Sequence, residues 1–231
     1  MAIALDPFSN LLWNIGYAFC HQLPERSFFY SGFQMPVCAR DMGTYLGFLV
    51  VFLYWYLLRR YHNGSKPDAI VLAFAAVGML PFFGDGFASY LGFYSTNNVI
   101  RLATGLLMGA CMGLILLSVF PQMVVARTSS RKVFMWKDLI PICAAITIIG
   151  VLAISLDLGI VMFYVLETLT ISGILILLFM AISTLMLFAL KGTRFKMAMS
   201  RSMLFAYAFV LEAVLISILW FLHHVIFALI D

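Results

Sequence analysis

The chain has 231 residues, of which 64% are hydrophobic and only 10% are charged, with a formal net charge of +4. A soluble domain carries roughly 25% charged residues, so this composition excludes a soluble domain and indicates an integral membrane protein. The apolar runs approach or exceed the roughly 20 residues with which an α-helix crosses hydrocarbon, and they lack the alternation of a barrel strand. We therefore expect an all-α, polytopic helical bundle in the lipid bilayer. The net charge of +4 is explained by basic residues in cytoplasmic loops, so we expect no nucleic-acid partner.

The first 41 residues form a polar segment ahead of the first span. Residues 8–19 are too short to cross a membrane, but their apolar residues have helical spacing, which indicates a helix at the interface. No Lys or Arg precedes Arg26, so the basic region of a cleavable signal peptide is absent and we expect the mature chain to keep its N-terminus. Pro24 and Pro36 break the next stretch into turns, which predicts a segment that folds back as a cap.

Six apolar stretches follow as predicted transmembrane helices. They cover residues 42–58, 69–83, 98–125, 139–156, 159–190 and 203–230. The second is short for a span, which would require burial of its end or local thinning of the bilayer. In the third, Gly105, Gly109 and Gly113 recur at every fourth position, which predicts close helix packing. We treat residues 1–231 as one membrane domain, described in the parts 1–41, 42–125 and 139–230.

Basic residues indicate the orientation. Eleven of the 14 Lys and Arg residues lie in the loops after spans one, three and five, and such loops remain cytoplasmic. This predicts a multi-pass protein of the cell membrane with both termini extracytoplasmic. The remaining three, Arg26, Arg40 and Arg101, fall on the outer side, where membrane proteins normally avoid arginine.

A second polar stretch, residues 84–110, follows the second span and emerges on the same side as the first 41 residues. It contains Asp85, Ser95, Asn97 and Arg101. We expect the two stretches to converge on a composite site in which the Cys20-His21 end of the cap meets Asp85.

The residues of both stretches form one pattern, which consists of Cys20-His21-Gln22, Pro24, Arg26-Ser27-Phe28, Pro36-Val37-Cys38-Ala39-Arg40, Gly43, Asp85-Gly86, Ser95-Thr96-Asn97, Arg101 and Thr104-Gly105. This pattern resembles an uncharacterised family of prokaryotic integral membrane proteins, domain of unknown function 2085. The family pattern reads C-A-R-C-x-G where this chain has Asp41 in place of the second cysteine. A C-x-x-C pair would permit thiol redox chemistry or a soft-metal site, whereas Asp41 removes the dithiol and keeps an oxygen ligand. The resemblance implies a membrane protein and supplies no mechanism.

A metal site is one interpretation of the outer cluster. Cys20 or His21, Cys38 and Asp41, with Asp85 from the second stretch, are all usual donors to Zn²⁺ or another divalent metal. Adjacent Cys20 and His21 cannot both reach one ion without strain, so we expect one of them as a ligand and the other beside it.

A disulfide between Cys20 and Cys38 is the second interpretation, since an outer face is an oxidising setting in many cells. It would contribute about 3 kcal/mol on a loop-entropy estimate. Cys111 and Cys143 lie inside spans three and four and are interpreted as core residues.

The third interpretation makes the arginines the principal groups. Forked guanidinium donors suit the phosphate or carboxylate of a lipid or of an anionic small molecule. The substrate-binding residues would be Arg26, Ser27, Arg40, Ser95, Asn97 and Arg101. The alternative is that each arginine pairs with Glu25, Asp41 or Asp85 as a structural lock.

Two acids lie within the predicted spans. Glu167 is about eight residues into span five, and Glu212 is near the middle of span six. Intramembrane acids face the bundle interior or a cavity, and often mark an ion or proton path. His223 and His224 should rise toward the outer face, where they would anchor at the interface beside Trp220 or join the cluster.

Two functional classes stay open. The protein could be a membrane-embedded enzyme that acts on a lipid or lipid-linked anionic substrate, with His21 and Asp85 as acid/base groups. It could instead be a small ion- or proton-coupled transporter that uses Glu167 and Glu212. Polar residues confined to one face favour the enzyme, and membrane assembly without chemistry is a third option.

Overall fold

The structure, a computed structural model, describes residues 6–124, 129–155, 159–190 and 201–230, which are mostly helical. The helices are α1 Pro7–Tyr17, α2 Ala39–Leu57, α3 Ala69–Gly78, α4 Leu80–Tyr90, α5 Asn98–Val124, α6 Leu139–Ser155, α7 Ile160–Ala189 and α8 Arg201–Ile230. Two short sheets join loops: β1 Phe29–Tyr30 pairs antiparallel with β2 Phe33–Gln34, and β3 Asn63–Ser65 pairs parallel with β4 Ser129–Lys132. The predicted all-α, polytopic membrane fold is confirmed.

Within the described residues, five helical stretches are long and apolar enough to cross a membrane. They are Ala69–Tyr90, Asn98–Pro121, Trp136–Ser155, Ile160–Ala189 and Ser202–Ile226. The first predicted span, 42–58, forms α2, which is a helix but not one of these five candidate spans. It begins earlier, at Ala39, and carries Arg40 and Asp41 in its first turn. α2 runs beside α5, from Arg40 packed on Gly105 to Trp55 packed on Phe120, so the two helices lie side by side over most of the length of α2.

The second span is longer than the sequence suggested. Residues 69–83 were expected, whereas the helical stretch is Ala69–Tyr90, broken only at Met79 between α3 and α4. Pro81 falls in the first turn of α4, where its missing N–H breaks no helical hydrogen bond. Asp85 was expected beyond the span but lies within α4, where it is buried. A charged partner makes this position tolerable, as described below.

Glycines bring α2 and α5 into backbone contact. A Cβ atom at Gly43 or Gly47 would overlap the α5 backbone, and one at Gly105 or Gly109 would overlap the α2 backbone. This confirms the close packing predicted from the glycine spacing. Arg40 lies against Gly105 and Thr44 lies against Gly109, so the two helices run parallel, with both N-termini at the same end of the bundle.

The opposite end of the bundle holds two of the three basic loops. The β3–β4 pair joins them, and the Asp68 carboxylate accepts hydrogen bonds from Lys132 Nζ and, at 3.0 Å, from the Trp136 N–H. Arg60 donates to Asp138 at 2.8 Å. The third basic loop falls largely on residues 191–200, outside the described residues. The polar stretches and the two described basic loops therefore occupy opposite ends, as expected from the charge distribution.

The predicted interfacial helix exists as α1, but it packs on the bundle. Asp6 caps it by accepting the Ser9 N–H at 2.8 Å, and the Tyr164 hydroxyl of α7 donates to the other Asp6 carboxylate oxygen at 2.9 Å. Ser9 donates from its hydroxyl to Glu167 at 2.8 Å. These contacts place α1 against α7 at the polar end, where it supports the segment that follows.

Candidate functional site

The connection from α1 to α2 folds over the polar end and is held by two glutamines. The Gln22 amide donates to the Trp13 and Pro36 carbonyls, at 2.9 Å each. Gln34, on β2, donates to the Gln22 carbonyl at 2.6 Å. Gln22 adopts a positive φ of 52°, which turns the chain directly after Cys20-His21. The connection thus folds back on the bundle and places Cys20 beside Cys38, at the start of α2.

Cys20, Cys38 and Asp41 form a compact cluster at the N-terminus of α2. Their ligand atoms, two Sγ and one carboxylate oxygen, all lie within 4.8 Å of one another. The Cys38 N–H donates to Cys20 Sγ at 3.1 Å, and the Cys38 thiol donates to Asp41 Oδ2 at 3.2 Å. Cys38 is the N-cap residue of α2 and Asp41 lies in its first turn, so one helix start positions both groups. Both cysteines are free, so the alternative Cys20–Cys38 disulfide is not formed.

The cluster is chemically suited to a cation. A hydrogen bond with Cys20 raises the pKa of the Cys38 thiol above its ordinary value, and burial and the nearby Asp41 carboxylate raise it further. Three acidic groups so close together cannot all be ionised unless a positive charge takes the place of their protons. Two sulfurs and one oxygen match the ligand preferences of Zn²⁺, and three protein ligands leave its fourth position open.

His21 lies on the outside of this cluster, not beside Asp85. The exposed His21 ring contacts the His223 ring edge-on, with the ring centres 5.0 Å apart. The Tyr17 ring stacks on the His223 ring, with the ring centres 4.3 Å apart. His21 interacts electrostatically with Asp41. The structure therefore does not form the expected pair of His21 with Asp85, because the turn at Gln22 directs the imidazole toward α8. His223 thus contacts His21 and Tyr17, and His224 stacks on Trp220.

Asp85 is instead the partner of Arg40 and Tyr94. The Arg40 guanidinium and the Tyr94 hydroxyl each donate to one of its carboxylate oxygens, and the Asp85 side chain is only 4% exposed. The hydrogen bond to Asp85 raises the pKa of the Tyr94 hydroxyl. Gly86 leaves room for the Arg40 guanidinium, which also lies over the Phe82 ring at 5.6 Å. Arg40 is therefore paired with an acid, as the structural-lock alternative requires.

The other two outer arginines are placed differently. Arg26 approaches Glu25 at 4.0 Å on an exposed surface. Arg101 donates to Asn98 Oδ1 at 3.0 Å, and it forms no ion pair with any acid in the described part of the chain. Arg101 interacts electrostatically with Arg26 and Arg40 and also with Cys38. Positive charge thus collects beside the cysteine cluster.

The predicted polar ligands Ser27, Ser95 and Asn97 are not gathered around these arginines as one set. Ser27 is buried, with its hydroxyl bonded to the Leu23 carbonyl at 3.0 Å. Asn97 caps α5 by accepting the Ile100 N–H at 2.9 Å. Ser95 is exposed. Ser27 and Asn97 are thereby used to shape the loops that carry Arg26 and Arg101.

The intramembrane acids lie apart from the cluster. Glu167 is 1% exposed and accepts a hydrogen bond from the Ser9 hydroxyl, so it helps to hold α1 on α7. Glu212 is 4% exposed and lines a cavity at the other end of α2. The two acids therefore have different surroundings, and within the described residues neither forms an ion pair.

Two tyrosines of the site were missed in the sequence. Tyr45 interacts electrostatically with Asp41, Cys20 and Cys38. It stands four residues after Asp41 on α2, and this spacing places it on the same helix face, which was a usable signal. Tyr94 follows Asp85 by nine residues across the end of α4, and no periodicity relates the two positions.

Comparison with known proteins places this site inside a shared segment. The model of a family described as "Predicted membrane protein (DUF2085)" matches residues 20–115. The chain is 40% identical over 87 residues to an uncharacterized protein of Methanothermobacter thermautotrophicus, which covers 38% of this chain and 74% of that protein. It is 31% identical over 116 residues to an uncharacterized protein of Methanocaldococcus jannaschii, which covers 50% and 72% respectively. No solved structure matches the chain.

Proposed function

Because the chain belongs to the DUF2085 family of predicted membrane proteins, we propose a function for the polar end of its membrane bundle. This end binds a divalent metal ion, zinc by ligand type, next to an anionic group such as a lipid phosphate. The observation that carries the proposal is the convergence of Cys20 Sγ, Cys38 Sγ and an Asp41 oxygen within 4.8 Å.

The proposal of a metal ion rests on the cost of placing three acidic groups together without a compensating positive charge. Cys20 is buried, and Cys38 and Asp41 are half-buried, so the three acids share one small volume with little water to solvate their charges. A zinc ion, with its charge of +2, would compensate two of the three negative charges. The Cys20 sulfur already accepts the Cys38 N–H, a hydrogen bond that also stabilises a metal-bound thiolate.

The anion part rests on Arg101. Asp85 is paired with Arg40, so no carboxylate in the described part of the chain accepts a hydrogen bond from the Arg101 guanidinium. It is half-buried at the start of α5, beside the cluster, at the polar end that we expect to meet the lipid head groups. A phosphate is the anion that suits its forked donors best.

A metal beside a bound phosphate suits hydrolysis or transfer of a head group. The ion would polarise a phosphate oxygen or supply a bound water as the nucleophile. In this chain, Arg101 would hold the phosphate and His21 would move protons at the exposed side of Asp41. Arg40 and Asp85 would fix the position of the first turn of α2 and take no part in proton transfer.

Metal analysis of the purified protein tests the first part of the proposal. We expect one zinc ion per chain after purification without chelator, and its loss in Cys20→Ser and Asp41→Asn. Cys143→Ser is the matched control, because this cysteine is half-buried in α6 and outside the cluster. Equal metal content in the wild type and in Cys20→Ser would refute the site.

Lipid binding tests the second part. We expect Arg101→Gln to reduce retention of phosphatidylglycerol, measured by native mass spectrometry of protein released from nanodiscs. Arg59→Gln removes an exposed arginine at the opposite end of the bundle and should leave retention unchanged. Equal losses in both variants would mean that only the overall charge matters.

A further inference from the structure

A large aromatic cavity lies at the end of the bundle opposite the cluster of Cys20, Cys38 and Asp41. Its volume is about 560 Å³, within the range of about 300–1,000 Å³ that is typical of small-molecule sites. Side chains from α2, α5, α7 and α8 line it, among them Phe52, Trp55, Phe120, Phe179 and Phe205.

One acid lies among these aromatic residues. Glu212 lines the cavity, is only 4% exposed, and has a buried carboxylate oxygen, Oε1, without a hydrogen-bond partner. No Lys or Arg in the described ranges forms an ion pair with it. A carboxylate in such a place is costly unless a cation or a proton compensates it, so acids at membrane depth are usually associated with a function.

The aromatic rings are arranged as a continuous wall. Trp55 contacts Phe52 and Phe120, with ring centres 6.0 and 6.3 Å apart, and Phe205 contacts Phe120 and Phe179 at 6.5 and 5.8 Å. The faces of aromatic rings attract cations, most strongly in a site from which water is excluded. The Trp55 indole nitrogen is also buried without a hydrogen-bond partner, so the wall includes a second unsatisfied polar atom.

We propose that this cavity binds a lipophilic monocation, with its charge at Glu212 and its apolar groups against the aromatic wall. The two features fit together, because the rings alone would suit any apolar molecule, whereas the buried acid specifically favours a positive charge. The site is independent of the cysteine cluster, since Cys38 precedes α2 and Trp55 lies near its other end.

A lipid acyl chain is the competing occupant of an apolar cavity within a membrane. It would gain the same burial against the rings, but it would have no favourable interaction with Glu212. The sign of the charge on a bound molecule therefore distinguishes the two occupants.

The test compares two ions of equal shape and opposite charge, tetraphenylphosphonium and tetraphenylborate. Binding to the full chain in nanodiscs is measured by equilibrium dialysis, with empty nanodiscs subtracted. We expect saturable binding of tetraphenylphosphonium and none of tetraphenylborate. Glu212→Gln, which keeps the side-chain volume, should weaken cation binding at least roughly tenfold, as expected for loss of a charge pair at low dielectric.

Two further variants separate charge from folding. Glu212→Asp keeps the carboxylate and should retain most of the affinity, whereas Glu25→Gln removes an exposed acid at the other end and should change nothing. Equal binding of both ions, absence of saturable cation binding, or full affinity in Glu212→Gln would each overturn the proposal.

Discussion

The Arg40 guanidinium donates to the Asp85 carboxylate and so ties the first turn of α2 to α4. The side chains are 20% and 4% exposed, so both charges are largely withdrawn from water. Removing one partner of a buried pair typically costs about 3–5 kcal/mol, because the other charge is left uncompensated. We expect Asp85→Ala to lower the free energy of unfolding by about that amount, measured by chemical denaturation in detergent.

Two variants control this prediction. The double replacement Arg40→Met with Asp85→Leu removes both charges and should recover most of the lost stability. Glu25→Ala breaks an exposed pair and should cost no more than about 1 kcal/mol. Unchanged stability in Asp85→Ala would show that Arg40 is no structural lock and is free to bind a ligand.

The glycine contact between α2 and α5 gives a second prediction. A methyl group at Gly109 would overlap the backbone of Thr44, which cannot rotate away as a side chain could. We expect Gly109→Ala to lower the melting temperature in detergent, by an overpacking cost of at least about 1–3 kcal/mol. Gly84→Ala is the matched control, since nothing lies within 4 Å of a Cβ atom there. Similar melting temperatures for both variants would contradict the observed helix contact.

Asp68 predicts a pH dependence at the opposite end of the bundle. The hydrogen bond from Lys132 and then the one from the Trp136 N–H hold the pKa of this carboxyl below its ordinary value. A folded-state pKa below the unfolded value, about 3.9, stabilises the loops above about pH 4, and the effect disappears as the pH falls through the folded-state pKa. We expect the Trp136 amide to lose protection from hydrogen exchange in that acid range. In Asp68→Asn protection should be low already at neutral pH, and a wild-type profile in this variant would contradict the prediction.

The orientation in the membrane is a fourth prediction. Basic loops remain cytoplasmic, so the polar end should face outward. Exposed positions at the two ends are Glu25 and His62. In intact cells, a membrane-impermeant maleimide should label Glu25→Cys, whereas His62→Cys should react only after permeabilisation. The reverse pattern would invert the proposed topology.

Five of the six spans could be predicted, because hydrocarbon imposes length and apolarity on every crossing helix, whereas α2, predicted as the first span, is not among the five candidate spans of the described residues. The predicted start of α2 and the predicted end of α4, both of which carry charges, were wrong. α2 begins before Arg40 and α4 continues past Asp85, because each of these residues compensates the charge of the other across two helices. A hydropathy pattern assigns such residues to loops, since it cannot show that they are paired.

The cysteine cluster was partly predictable. Cys38 and Asp41 are three residues apart, which brings them together at a helix start, and Cys20 was proposed with them as a metal ligand. The place of His21 was not predictable, because a single turn with positive φ at Gln22 decides which side of the cap it faces. The contact of α1 with α7 through Ser9 and Glu167 also joins residues 158 positions apart, for which one sequence gives no signal.

Zinc K-edge X-ray absorption of the purified protein tests the proposed metal site most directly, because it reports the ligand atoms themselves. We expect two sulfur neighbours at about 2.3 Å and oxygen or nitrogen neighbours at about 2.0–2.2 Å, with one sulfur lost in Cys38→Ser. A zinc shell without sulfur, or one that Cys38→Ser leaves unchanged, would contradict a site built from Cys20, Cys38 and Asp41.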